Sequence, residues 1–76
     1  MKLGLELPET LIARGVARQQ LGDLKGAAAD YTAALALDPG NLYALIDRAG
    51  ARELSGDRTG AVEDYKEALR VAPAGF

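Results

Sequence analysis

The sequence predicts an all-α fold made of two stacked helix-turn-helix units. The chief reason is self-similarity: Gly22-Asp23, Gly26-Ala27, Asp30-Tyr31, Ala34-Leu35 and Pro39 return as Gly56-Asp57, Gly60-Ala61, Asp64-Tyr65, Ala68-Leu69 and Pro73. Leu11 with Leu45, Ile12 with Ile46, Arg14 with Arg48 and Arg18 with Arg52 keep the same interval of 34 residues, a period that belongs to helical-hairpin repeats. Within the repeated block, apolar and small residues fall at spacings of three and four, which gathers them on one face of a helix. Glycine-aspartate pairs interrupt the pattern midway through each unit, where a left-handed stop and an N-cap are needed together.

Each element follows from local chemistry. Residues 1–7 form an N-terminal arm in which Leu3, Leu5 and Leu7 alternate with Lys2, Gly4 and Glu6; so short a period-two run is left unassigned. Pro8 suits a first helical turn, where its missing N–H costs nothing, and Glu9 suits the positive end of the helix dipole. A first helix is expected from there to about Leu21, stopped by Gly22, with Asp23 capping the next. The second helix, Leu24–Leu37, gathers Ala27, Tyr31, Ala34 and Leu35 on a face made mostly of methyl groups, with the tyrosine filling space between closely approaching axes. Asp38-Pro39-Gly40-Asn41 ends it, because the residue before a proline is pushed out of the helical region, and Asn41 is a good N-cap. A third helix over Leu42–Leu54, the Gly56-Asp57 turn and a fourth over Arg58–Val71 repeat the order. The units occupy residues 8–41 and 42–75.

Size and composition narrow the function. A chain of 76 residues holds one domain, whose core supplies only about 3–5 kcal/mol of net stability. Cysteine and histidine are both absent, which removes disulfides, thiol chemistry and the ordinary zinc sites. The net charge of -2 comes from 9 basic and 11 acidic residues spread along the chain, so no basic stripe tracks a phosphate backbone and nucleic acid is not an expected partner. Glu6, Pro8 and Glu9 break the apolar run after Lys2 too early for a signal peptide, and no apolar window approaches the roughly 20 residues that cross a bilayer. A soluble, cytoplasmic chain without a membrane partner is the default expectation.

No catalytic constellation is visible, and no cofactor or metal is expected. Ser55 beside Gly56 reads as a cap or turn residue. The glycines of Gly22-x-x-x-Gly26 and Gly56-x-x-x-Gly60 lack the Lys-Ser/Thr of a phosphate loop, and Glu63, Asp64 and Glu67 interleave with Lys66 and Arg70 as a self-paired, solvated face. Arg14 and Arg18 lie four apart, as do Arg48 and Arg52, and like charges at that spacing repel unless an anion sits nearby. Asp30 and Asp64 recur with the same period. Two readings follow: an intramolecular Arg–Asp ladder that positions neighbouring helices, or a site for an external anion or acidic peptide.

The pattern resembles the tetratricopeptide repeat. The matching residues are Leu11, Arg14, Gly15, Arg18, Ala27, Tyr31 and Pro39 in the first unit and Leu45, Arg48, Ala49, Arg52, Ala61, Tyr65 and Pro73 in the second. Leucine stands for the family's large first aromatic, Ala49-Gly50 for a clean glycine, and arginine for the usual Leu and Tyr. The resemblance implies a fragment of a right-handed α-solenoid that binds a protein or peptide on the concave surface of each unit's first helix. Its outward positions would be Glu9, Ile12, Val16, Gln19 and Gln20, then Tyr43, Ile46, Asp47, Gly50 and Glu53. Ile12, Val16, Tyr43 and Ile46 would offer apolar contact, and Asp47 and Glu53 would favour a basic group. The Lys, Arg and Asn of the family's carboxylate-clamping subgroup are missing there, and Ile12 and Ile46 can equally be partly core. An alternative role is self-assembly or domain swapping. Such a solenoid needs about three repeats to bury its faces, so the last helix, around Ala61, Val62, Tyr65 and Leu69, is expected to stay partly uncovered and to drive homo-oligomerisation. The pattern fits a segment of a longer array or an engineered repeat unit as well.

Overall fold

The computed structural model describes residues 6–73. Four helices run along them, α1 (Pro8–Gln20), α2 (Leu24–Leu37), α3 (Leu42–Leu54) and α4 (Arg58–Val71), with no strand among the described residues. Residues 1–5 of the expected arm and residues 74–75 of the second unit lie outside them.

Leu7 is extended, as the residue before a proline must be, and Pro8 starts α1 without a side-chain cap. The helix ends at Gln20, one residue before the expected Leu21, because Leu21 is the capping residue of a two-bond closure. The Gly22 amide donates to the Gln19 carbonyl at 3.0 Å and the Asp23 amide to the Arg18 carbonyl at 2.8 Å. That geometry requires the left-handed φ of +87° at Gly22, and the second turn repeats it with +89° at Gly56. Asp23 then has two jobs. Its amide closes α1, while its carboxylate accepts from the Gly26 amide at 2.9 Å to open α2. Asp57 does the same between α3 and α4. A Cβ on Gly26 or Gly60 would run into the capping carboxylate, which explains the second glycine of each pair.

Between the hairpins, Asp38 leaves the helical region ahead of Pro39. Asn41 accepts from the Ala44 amide at 3.0 Å and donates to the Asp38 carboxylate at 3.2 Å, fixing the angle at which α3 departs.

Packing follows chain order: α1 on α2, α2 on α3 and α3 on α4, with α1 also touching α3. Alanine dominates the core. Leu11 meets Ala34 and Ala44, while Ala27 and Tyr31 meet Ala51, and Ile12 joins both groups. Such small side chains let the axes approach until backbone and ring are in contact. A Cβ built on Gly15 would stand 2.5 Å from the Tyr31 ring. Tyr31 is the largest side chain fully withdrawn from water, a burial that contributes roughly 4 kcal/mol as an upper estimate before entropy is charged against it.

Candidate interaction surfaces

The arginines come first, because their partners decide what surface remains. Asp30 and Asp64 are both buried. Arg14 donates to Asp30 through Nε and Nη2 at 3.1 and 2.9 Å, and Arg18 reaches both carboxylate oxygens through Nη1 at 3.1 Å. In the second hairpin Arg48 forks onto Asp64 at 2.9 and 2.8 Å, with Arg52 adding a bond at 2.9 Å. Hydrogen bonds from Arg14, outweighing burial, hold the Asp30 carboxyl below its ordinary range. The four guanidiniums are spent inside the chain, as the ladder reading expects. Arg48 also donates to Thr32 at 3.1 Å and so ties the second hairpin to α2. A hollow of about 530 Å³ between the hairpins includes Arg48, Arg52 and Asp64 in its lining, and these three are already paired with one another.

On the other side of the molecule, the residues expected along a continuous groove fall into separate places. Val16, Gln19 and Gln20 of α1 and Asp47 of α3 line one hollow of about 320 Å³, joined by Tyr31 and Leu54. Glu9 is exposed on the first turn of α1, and Tyr43 stands 73% exposed at the start of α3. Ile12 is partly buried against the core, where the second hairpin covers it. Ile46, its repeat partner, lacks such a cover and lines a different hollow with Leu42 and Tyr65. Gly50 is half-buried, and Glu53 accepts the Tyr65 hydroxyl at 2.8 Å. Sequence reasoning did not include Leu54 or the Tyr31 edge in the groove, since nothing in the spacing signals that a core ring reaches a surface hollow.

Within the first hollow the polar groups differ in what they have to satisfy them. Gln19 accepts the Tyr31 hydroxyl at 3.0 Å, and burial pushes that phenol up to about 12, with the Asp47 and Asp30 charges adding to it. Asp47 is half-buried and receives no protein hydrogen bond from the described residues. Partial burial raises its pKa, since desolvation disfavours the charged form.

The outer face of α4 is apolar. Ala61 is buried, but Val62 is 50%, Tyr65 36% and Leu69 79% exposed. Between α3 and α4, a hollow of about 290 Å³ is lined by Leu42, Ile46, Tyr65, Ala68, Leu69 and Ala72. Among the described residues no group of acidic side chains gathers to hold a metal ion, and no helix is long and apolar enough to cross a membrane.

Comparison with known proteins gives one family. The family model described as tetratricopeptide repeat matches residues 8–41, the whole of the first hairpin and its connection to α3. No curated protein matched the chain. Repeats of this family are non-catalytic modules that generally mediate protein–protein interaction. That match covers the first hairpin, and the four helices, laid out as two hairpins of the same period, fit a tetratricopeptide-type repeat.

Proposed function

We propose that the chain is a protein-interaction module whose α1–α3 hollow takes an extended segment of a partner protein, with a basic side chain set against Asp47. One observation carries this reading: a half-buried carboxylate without a protein donor among the described residues, held at the edge of a hollow walled by Val16, Leu54 and the Tyr31 ring. Leaving an anion partly desolvated is costly, and an incoming lysine or arginine would recover that cost as a charge-assisted bond. Val16 and Tyr43 offer apolar contact nearby, and Gln20 an adaptable amide. The test uses paired peptides that differ only in lysine against norleucine, titrated into the wild-type chain and Asp47→Asn. The lysine peptide should bind at least about fivefold more weakly to Asp47→Asn, while its twin is indifferent. Equal binding of both peptides to both proteins rejects the assignment.

A second reading, self-association through the α4 face, is favoured by the exposure of Val62, Tyr65 and Leu69 around the buried Ala61.

A further inference from the structure

The self-association reading leaves the occupant of the α4 face open, and the internal repeat specifies one. At the junction between the hairpins, α3 sits in a seat made by Leu11, Ile12, Ala27, Tyr31, Ala34 and Leu35. Advancing each number by 34 gives Leu45, Ile46, Ala61, Tyr65, Ala68 and Leu69, the same six residue types in the same order. Leu45 and Ala61 are buried, while Tyr65 and Leu69 face solvent and Ile46 and Ala68 line the open α3–α4 hollow. The chain therefore carries a second copy of the seat, uncovered among the described residues.

What fills the first seat is equally informative. From α3 come Ala44, Ala51 and Arg48, the last donating to Thr32 across the junction. Moving those positions back by 34 gives Thr10, Ala17 and Arg14 on α1. All three are exposed. They present the small, small, arginine pattern that the seat accepts, on the end of the molecule opposite to α4. We propose that copies of this chain stack head to tail, the outer face of α1 of one copy seated on α3–α4 of the next in the register that already joins the hairpins within one copy. Seat and plug occupy different surfaces, so the contact is heterologous and does not close at two copies.

Two of the named positions depart from the internal template: Thr10 stands where the fully buried Ala44 stands in the junction, and the other lies on the seat. Thr32, which accepts from Arg48, corresponds to Lys66, so in a stack Arg14 would meet an ammonium where the internal junction offers a hydroxyl. Like charges at a contact weaken it, and Lys66 thus acts as a brake on the stacking. This gives the proposal a gain-of-function test that an accidental apolar patch does not share.

Sedimentation velocity from micromolar to millimolar concentration is the measurement, with circular dichroism to confirm that each variant is folded. The wild-type mass should grow with concentration past that of a dimer. Lys66→Thr, which recreates the arginine–threonine pair, should shift growth to lower concentration. Ala17→Arg places a long side chain where the buried Ala51 sits in the internal junction; the site is exposed in the single chain and arginine is a good helix former, so folding is kept while association weakens at least about tenfold. A mass that stops at two, with Ala17→Arg without effect, overturns head-to-tail stacking and leaves self-association standing. A chain that stays monomeric throughout overturns both, and the peptide titrations at Asp47 are unaffected by either outcome.

Discussion

The hairpins α1–α2 and α3–α4 carry the same tyrosine, the same aspartate and the same pair of arginines, yet their surroundings treat these residues differently. Tyr31 is sealed from water with its hydroxyl on Gln19, whereas Tyr65 is 36% exposed with its hydroxyl on Glu53. Arg48 is held between Asp64 and Thr32 with only 17% of its side chain exposed, whereas Arg14 keeps 49% exposed and reaches Glu6 at 3.8 Å. The cause is position in the stack. Among the described residues, α2 has a following helix and α4 has none, and α3 has a preceding hairpin and α1 has none. The residues that the hairpins share thus differ in burial with their place in the stack, which is how a quasi-one-dimensional array distributes its stability.

Truncating the two tyrosines is the most forceful way to break this comparison. Tyr31→Ala should remove about 3–5 kcal/mol, as deletion of a buried aromatic does, which is comparable to the whole stability of a domain this small. Tyr65→Ala should cost about 1 kcal/mol, because its ring is already partly in water. Thermal melts at one dilute concentration check the pair. Similar losses at both positions would mean that the second ring is covered in solution, and a concentration series would then identify association as the cause.

A smaller effect sharpens the same contrast. Gly15 and Ala49 are repeat partners, and a Cβ at Gly15 would stand 2.5 Å from Cε1 and 2.9 Å from Cδ1 of Tyr31. Ala49 already carries its Cβ in a buried site. Where the ring is clamped by a following helix it needs a glycine beneath it; where it is free to tilt outward, alanine fits. Gly15→Ala should therefore destabilise by about 1–3 kcal/mol through overpacking, overriding the gain of about 1 kcal/mol that alanine normally brings to a helix interior. A rise in melting temperature would show that the Tyr31 ring gives way at little cost.

Much of this architecture could be read from the sequence, and the reason is local. Gly22-Asp23 and Gly56-Asp57 announce their turns because each contains the only residue type that takes a left-handed φ freely, followed by one of the best caps. Asp38-Pro39-Gly40-Asn41 is as explicit, and the helix limits agreed to within one residue, at Leu21. The Arg–Asp ladder was legible as well, since repelling arginines four apart require an anion and the aspartates kept their period. What the spacing did not carry was depth. Ile12 and Ile46 are repeat partners, each set between the same leucine and, two residues on, the same arginine, yet one packs into the core and the other lines an open hollow. Glu53 belongs to the outward set of α3 by register, but a tyrosine one helix away takes its carboxylate. The need for a second glycine at Gly26 also arises only once the carboxylate of Asp23 is in place above it. These are consequences of neighbouring helices, which a repeat pattern counts but does not locate.

The mildest effect concerns two carboxylates, one from each hairpin, whose pKa values move in opposite directions. Arg14 holds Asp30 below the ordinary 3.8, while partial burial holds Asp47 above it. For Asp30 the folded pKa lies below the unfolded one, so its stabilisation is complete above about pH 4 and is lost as pH falls through the lowered folded value. For Asp47 the order is reversed. Its charged form is penalised in the folded chain above the raised pKa, and acidification relieves that penalty before Asp30 begins to protonate. A melting profile from neutral to acid should accordingly hold level or rise slightly above pH 4 and then fall. Asp47→Asn should remove the early relief and raise stability near neutrality by a few tenths of a kcal/mol, on the order expected for easing a partly buried charge. Asp30→Asn should lower the neutral plateau and flatten part of the acid fall. A basic peptide bound beside Asp47 would reverse that carboxyl's shift, so the early feature should vanish from the profile of the complex; its persistence at saturating peptide would mean that the ligand's cation lies elsewhere.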